Sequence, residues 1–160
     1  MGWIKYLLGY QSLISISEFA ERNRVYDAAK SYAQRLAKPL VIIGGNSNQI
    51  WGISLSIQIH GGGDLCIDIK PDACLNSNYL YADVRNIPLP DKYAGAVFCS
   101  HLLEHLLTVY DAEIAWNEIN RIADSVFVCY PSKLSIAAWI HPDHHLWVSS
   151  KNGEIYFEQR

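Results

Sequence analysis

Cysteine is scarce in this chain: four among 160 residues, with no Cys-x-x-Cys pair. That spacing excludes the common structural zinc modules and dithiol redox motifs. Cys66, Cys74, Cys99 and Cys129 lie far apart, three of them in apolar runs, and read as small buried hydrophobes of a protein in a reducing cytoplasm. Charge of one sign is just as thin. Thirteen Lys and Arg against sixteen Asp and Glu give a formal net charge of -3, and the densest basic series, Arg22, Arg24, Lys30, Arg35 and Lys38, is spread along one predicted helix. Lacking a broad positive field or a local basic patch, the chain is not expected to bind nucleic acid. Long hydrophobic runs are missing too. The N-terminal MGWIKYLLGYQSLISIS is broken by Lys5, Gln11 and several serines before it reaches the ~20 apolar residues that span a bilayer. It has no signal-peptide cleavage pattern, and Tyr6 stands where a myristoylation signal wants Ser or Thr. No membrane span is expected, and no repeat, low-complexity segment or dividing linker is visible.

What is present is apolar bulk. Half of the residues are hydrophobic and 12% aromatic, enough for one domain that buries roughly two-thirds of its unfolded surface. The tryptophans and tyrosines, Trp116 and Tyr110 for example, fall mostly on apolar faces and read as core rather than as a base-stacking platform.

The spacing predicts two helices within residues 3–37. The second begins near Ser17, a candidate cap, and runs through Phe19, Val25, Tyr26, Ala29, Tyr32, Ala33 and Leu36 to a stop at Pro39. Strands are then predicted at Leu40–Ile43, Leu65–Ile69, Tyr79–Ala82, Ala94–Cys99 and Ser125–Tyr130, with helices at 47–58, 101–110 and 111–122 between them. Alternation of this kind implies a parallel sheet with helices on both faces. Near the C-terminus, Asn152-Gly153 between two strand-like runs signals an antiparallel hairpin.

Open parallel sheets bind ligands at the carboxyl ends of their strands. The residues standing there are Gly44-Gly45-Asn46-Ser47-Asn48, Asp68, Asp83 and Ser100-His101. Asp68 follows Gly44 at close to the roughly 20-residue offset at which a carboxylate accepts hydrogen bonds from ribose hydroxyls. Asp83 offers acceptors only, which suits an exocyclic amine. His101-Leu102-Leu103-Glu104-His105 matches the H-x-x-E-H pattern of zinc peptidases, with a third ligand needed from elsewhere. His141-Pro142-Asp143-His144-His145 is a second histidine cluster, whose proline and short spacing do not point the rings reliably at one ion; no metal is expected.

The stretch from Tyr81 to Leu107, YADVRNIPLPDKYAGAVFCSHLLEHLL, resembles the class I S-adenosylmethionine-dependent methyltransferases. Its acidic loop, its Ile87-Pro88-Leu89-Pro90-Asp91 link and its "LEH" follow the family's order, and Glu118-Ile119-Asn120-Arg121 is similar to the family's "E-x-x-R" helix end. The glycine motif departs from the pattern: of Gly-x-Gly-x-Gly only Gly44 remains, with Asn46 and Asn48 in the other places and Ile42 where an acidic residue is usual. The resemblance implies a Rossmann-like α/β fold: a mostly parallel seven-stranded sheet closed by a C-terminal antiparallel hairpin. It would occupy residues 39–160, with helices over 1–38 that could lid the pocket.

The resemblance further implies S-adenosyl-L-methionine as cofactor, held by Gly44, Gly45, Asn46, Asp68, Ile69, Asp83, Val84 and Ser100. His101 would be the base beside the reacting centre, with Glu104 and His105 orienting the loop. Tyr130, His141 and His144 would border the acceptor, a small molecule or an exposed group on a larger partner. Two other readings stay open: a member of the fold that has lost its cofactor and serves as a binding or assembly protein, and a zinc hydrolase built on His101, Glu104 and His105. The acceptor and the oligomeric state are not legible.

Overall fold

The run Leu40-Val41-Ile42-Ile43 has no polar side chain to turn toward water, so it has to be covered on both faces. In the computed structural model, which describes residues 2–45, 47–50 and 53–160 and the side chains of 11, 13–45 and 58–160, it is strand β1 (Leu40–Ile43), the centre of a sheet. Its partners are β4 (Leu65–Asp68), β5 (Asn78–Tyr81), β6 (Ala94–Ser100) and β7 (Ala123–Cys129). All pairs are parallel, in the order β5-β4-β1-β6-β7. The direction of winding reverses at β1, so a crevice opens where β1, β4 and β6 end.

Successive side chains of a strand point to opposite faces, and the two faces form separate cores. Leu40, Ile42, Cys66, Ala96 and Phe98 pack with Tyr26, Ala29 and Ala33 of α1 (Gly2–Leu36). Val41, Ile43, Ile67, Val97 and Cys99 pack with Ala115, Ile119 and Ile122 of α2 (Val109–Ile122). Thr108 caps α2 by accepting the Asp111 N–H at 3.1 Å. Arg121, in its last turn, donates to the carbonyls of Leu89 (2.8 Å) and Ile87 (2.9 Å), while Glu118 accepts the Ile87 N–H at 3.0 Å. The E-x-x-R pair thus clamps the proline link that leads into β6.

Several expectations are corrected. Residues 3–37 hold one continuous helix, not two; Ser17 sits within it, donating to the Ile14 carbonyl at 2.7 Å, and Phe19 and Leu36 are exposed. Residues 47–58 form an antiparallel pair, β2 (Ser47–Ile50) and β3 (Ile53–Gln58), instead of a helix. The sequence Ile53-Ser54-Leu55-Ser56-Ile57-Gln58 alternates with period two, which favours a strand. Tyr110 is exposed, whereas Trp116 packs against the core.

The expected seven-stranded sheet has five strands among the described residues. The terminal hairpin, β8 (Leu146–Lys151) with β9 (Glu154–Gln159), is a separate sheet turned by Asn152 and Gly153, both at positive φ. It packs Val148, Ile155 and Phe157 against the α2-side core instead of extending the ladder beyond β7. The short helix α3 (Ile136–Ile140) precedes it. The four cysteines are not all thiols: Cys66 and Cys74 are joined in a disulfide, while Cys99 and Cys129 are free. No helix among the described residues is long and apolar enough to cross a membrane.

Candidate active site

Because β4 and β5 are parallel neighbours, Asp68 at the end of one and Asp83 just beyond the other reach the same place. They line one cavity of about 200 Å³, together with Ile69, Val84, Leu102 and His105. Asp68 accepts the Lys70 N–H at 2.8 Å. Burial pushes its carboxyl up, against the pull of the Lys70 and Ile69 amides. Asp83 is bound by Arg85, whose guanidinium reaches its Oδ2 at 2.6 Å and whose N–H reaches its Oδ1 at 2.9 Å. That guanidinium holds the Asp83 carboxyl below its usual range. Arg85 also reaches Asp111 at 2.7 Å. Sequence reasoning did not single out Arg85, although a cation two residues from an aspartate in a loop is a readable signal.

The glycine loop begins one residue after β1. Gly44 and Gly45 both have positive φ, 90° and 72°, which explains why glycine stands at both. Their bare faces are covered by the chain itself. A Cβ on Gly44 would lie 3.0 Å from the Leu102 Cβ, and one on Gly45 would lie 2.5 Å from the Ala73 carbonyl oxygen. Ala73 belongs to the turn that the Cys66–Cys74 bond ties to β4. Asn46, expected to face the cofactor, and the side chain of Asn48 lie outside the described residues.

Leu102 lines this small cavity, and His101, next to it in sequence, lines a larger, open one of about 740 Å³. The larger one is lined by Glu18 of α1, by Cys129 at the end of β7, by His101, Tyr130 and Ser132 beyond β6 and β7, and by Ser150 of β8. The predicted helix 101–110 is not formed. His101 is left-handed (φ 52°) and donates its N–H to the Cys129 carbonyl at 2.9 Å, and a 3-10 turn, Leu103–His105, follows. The H-x-x-E-H geometry, which needs one helical face, is therefore missing. The turn instead drives Glu104 inward until it is 1% exposed. The His101 Nδ1 stands 3.4 Å from the Glu104 Oε1, an ion-pair contact too long and oblique to satisfy the carboxylate as a hydrogen bond. Burial alone would raise the Glu104 carboxyl; the neighbouring His101, with His105 adding to it, outweighs burial and holds the group below its ordinary value. Ser100, expected at the cofactor, is buried, its hydroxyl has no hydrogen-bond partner among the described residues, and it lines neither cavity.

Of the residues expected at the acceptor, Tyr130 lines the larger cavity, donating to Ser150 at 2.9 Å. His141 and His144 lie elsewhere, against His105, with ring centroids 5.4 Å and 4.7 Å from it. Burial pushes the His144 imidazole down to about 4 and lowers His105 as well.

No curated protein matches the chain. Among solved structures it is similar to a protein of Methanococcus maripaludis described as an S-adenosyl-L-methionine-dependent methyltransferase, with 22% identity, 78% of this chain and 62% of that one covered, and a TM-score of 0.41. It is also similar to a complex of the Haloferax volcanii Trm112 methyltransferase activator with a protein described as a methyltransferase, with 18% identity, 65% and 52% covered, and a TM-score of 0.36. The chain thus spans less than two thirds of either. Residues 63–125 match a family model described as "Methyltransferase domain". The match runs from just before β4 into β7.

Proposed function

We propose that the chain transfers a methyl group from S-adenosyl-L-methionine to an acceptor that is a small molecule or an exposed group on a larger partner. The observation that carries this reading is the convergence of Asp68 and Asp83 on one cavity at the carboxyl edge of a parallel sheet. The residues fit the nucleoside end of the cofactor. Asp68 can accept from ribose hydroxyls, and Asp83, already holding Arg85, keeps lone pairs for an adenine amine. Ile69 and Val84 supply the apolar walls. About 200 Å³ is less than the 300 Å³ or more of a pocket for a drug-sized ligand, and the methionine end requires Leu102 to swing off Gly44.

The cofactor supplies an electrophilic methyl group when bound. The protein's part is to hold the acceptor in line with it and to manage a proton. The larger cavity receives the acceptor, and its open mouth admits a group carried by a bigger molecule. His101, on the wall of that cavity, takes the acceptor's proton, while Glu104 behind it fixes the ring and favours the imidazolium so formed. The left-handed backbone at His101 is the kind of local strain found at functional positions.

A second reading has an observation of its own. Leu102 and Ala73 lie on the glycine loop where the methionine would press, as expected of a family member that no longer takes the cofactor. Calorimetric titration with S-adenosylhomocysteine separates the two. Heat of one-to-one binding, lost in Asp68→Asn, is expected; no heat at millimolar ligand would overturn the enzyme reading.

A further inference from the structure

The sequence separates His105 from His141 and His144 by more than thirty residues, and the fold closes that distance. One ring nitrogen from each of the three lies within 4.8 Å of the others. We propose that His105, His141 and His144 form a binding site for a divalent transition ion of the zinc class, bridging the turn after β6 and the loop between α3 and β8. The proposal is independent of the methyltransferase reading.

Three features of the cluster support it. First, the rings already have outer partners of the kind that metal-bound histidines use. His105 Nδ1 meets the Asp143 carbonyl at 2.9 Å, and His144 Nδ1 meets the Ala138 carbonyl at 3.2 Å. A carbonyl only accepts, so each of these nitrogens carries the proton and each Nε2 keeps a free lone pair. Second, the Glu104 carboxylate, next in sequence to His105, is buried with no hydrogen-bond partner on either oxygen among the described residues. Its negative charge favours a cation at the neighbouring rings. Third, the two segments are already held together by the His145 N–H, which donates to the Glu104 carbonyl at 2.8 Å. The frame around the rings therefore exists before any ion arrives.

Zinc bound tetrahedrally at about 2.0–2.1 Å draws its ligand nitrogens to about 3.3 Å from one another, so the rings need to close by on the order of 1 Å. His141 must also give up its long 3.3 Å contact with the Asp143 N–H or turn its ring. That side chain is exposed, and its ring stacks on that of His144 with centroids 4.3 Å apart. With three protein ligands, the fourth position is left to water.

The test uses untagged full-length protein, stripped with chelator and titrated with Zn2+ against a chromogenic competitor, with Co2+ as the spectroscopic probe. Expected are one ion per chain, a four-coordinate Co2+ visible band, and a rise in Tm on adding Zn2+. His141→Ala and His144→Ala should each weaken binding by about 10-fold or more, the scale on which even outer-shell partners act. Both positions lie in a loop, and circular dichroism checks that each variant still folds. His101→Ala should keep the ion, since His101 is not a ligand. Uptake below one tenth of an ion per chain at micromolar Zn2+ would overturn the proposal, as would unchanged affinity in the His141→Ala, His144→Ala double variant or loss of the ion in folded His101→Ala.

Discussion

The His101 Nδ1 stands 3.4 Å from the Oε1 of the buried Glu104 carboxylate. In the fold the carboxyl sits below its ordinary 4.5, so its contribution to stability is present above pH 4.5 and lost as pH falls through the lower folded value. Removing His101 reverses the sign. Burial then dominates, the folded value rises above 4.5, and stability is lost as pH rises through it. His101→Ala should therefore cost little at pH 4 and more at pH 6, up to about 3 kcal/mol, the low end for breaking a buried pair. Denaturant melts at the two pH values check this; an equal cost at both contradicts the pairing.

A second pH effect has the opposite chemical origin. His60, His105 and His144 are all lowered by burial, His144 to about 4. Each is held neutral, so its contribution is present above the ordinary value near 6.5 and disappears as pH falls through the folded value. In the metal-free protein, Tm should fall between pH 6.5 and 4. His144→Ala should flatten that slope; a slope identical to the wild type would assign the acid sensitivity to other groups.

How much of this was legible in the sequence depends on the range of the interaction that decides each element. The central strands were legible because Leu40–Ile43 and Ala94–Cys99 have no polar face, and burial on both sides is the outcome their composition permits. Asp68 and Asp83 were legible because parallel pairing brings the ends of adjacent strands together. The 47–58 segment was misread although its period of two was visible, because the alternation expected a helix there. The hairpin's place was not legible: its turn chemistry is local, but packing on the α2 side instead of along β7 is decided by Val148, Ile155 and Phe157. The Cys66–Cys74 bond and the meeting of His105 with His141 and His144 are tertiary facts that no spacing rule reaches.

Arg121 clamps the proline link through the Ile87 and Leu89 carbonyls, with Glu118 and Asp91 as its ion partners. Lysine cannot reproduce that planar fork. Arg121→Lys should cost about 1–3 kcal/mol, the scale of lost hydrogen bonds to a charged group. It should also speed hydrogen exchange at the Ile87 N–H, which the displaced Glu118 would no longer accept. Unchanged exchange there would show that the link holds its shape without the clamp.

The Cys66–Cys74 bond closes a short loop of sequence separation 8. Chain-entropy reasoning assigns such a loop about 2.5 kcal/mol. Reductant should lower Tm in the wild type and leave Cys74→Ala unaffected. Equal melting of wild type with and without reductant would mean that the bond adds nothing to the folded state.

Leu102 sets two effects against each other, since the same side chain fills space and covers Gly44. Truncating it removes contacts that are only partly buried, so Leu102→Ala should destabilise by about 2 kcal/mol, the low end for leucine truncation. The contact at Gly44 is also relieved, and room opens where the methionine end of the cofactor has to lie. If Leu102 gates the pocket, S-adenosylhomocysteine should bind Leu102→Ala more tightly than wild type despite the lower Tm, and Asp68→Asn should cancel the gain. If affinity falls together with stability, Leu102 is part of the pocket wall and not its cover. Calorimetry on the wild type, Leu102→Ala, Asp68→Asn and the double variant distinguishes these outcomes, because a gain that depends on Asp68 requires both residues to act on one ligand.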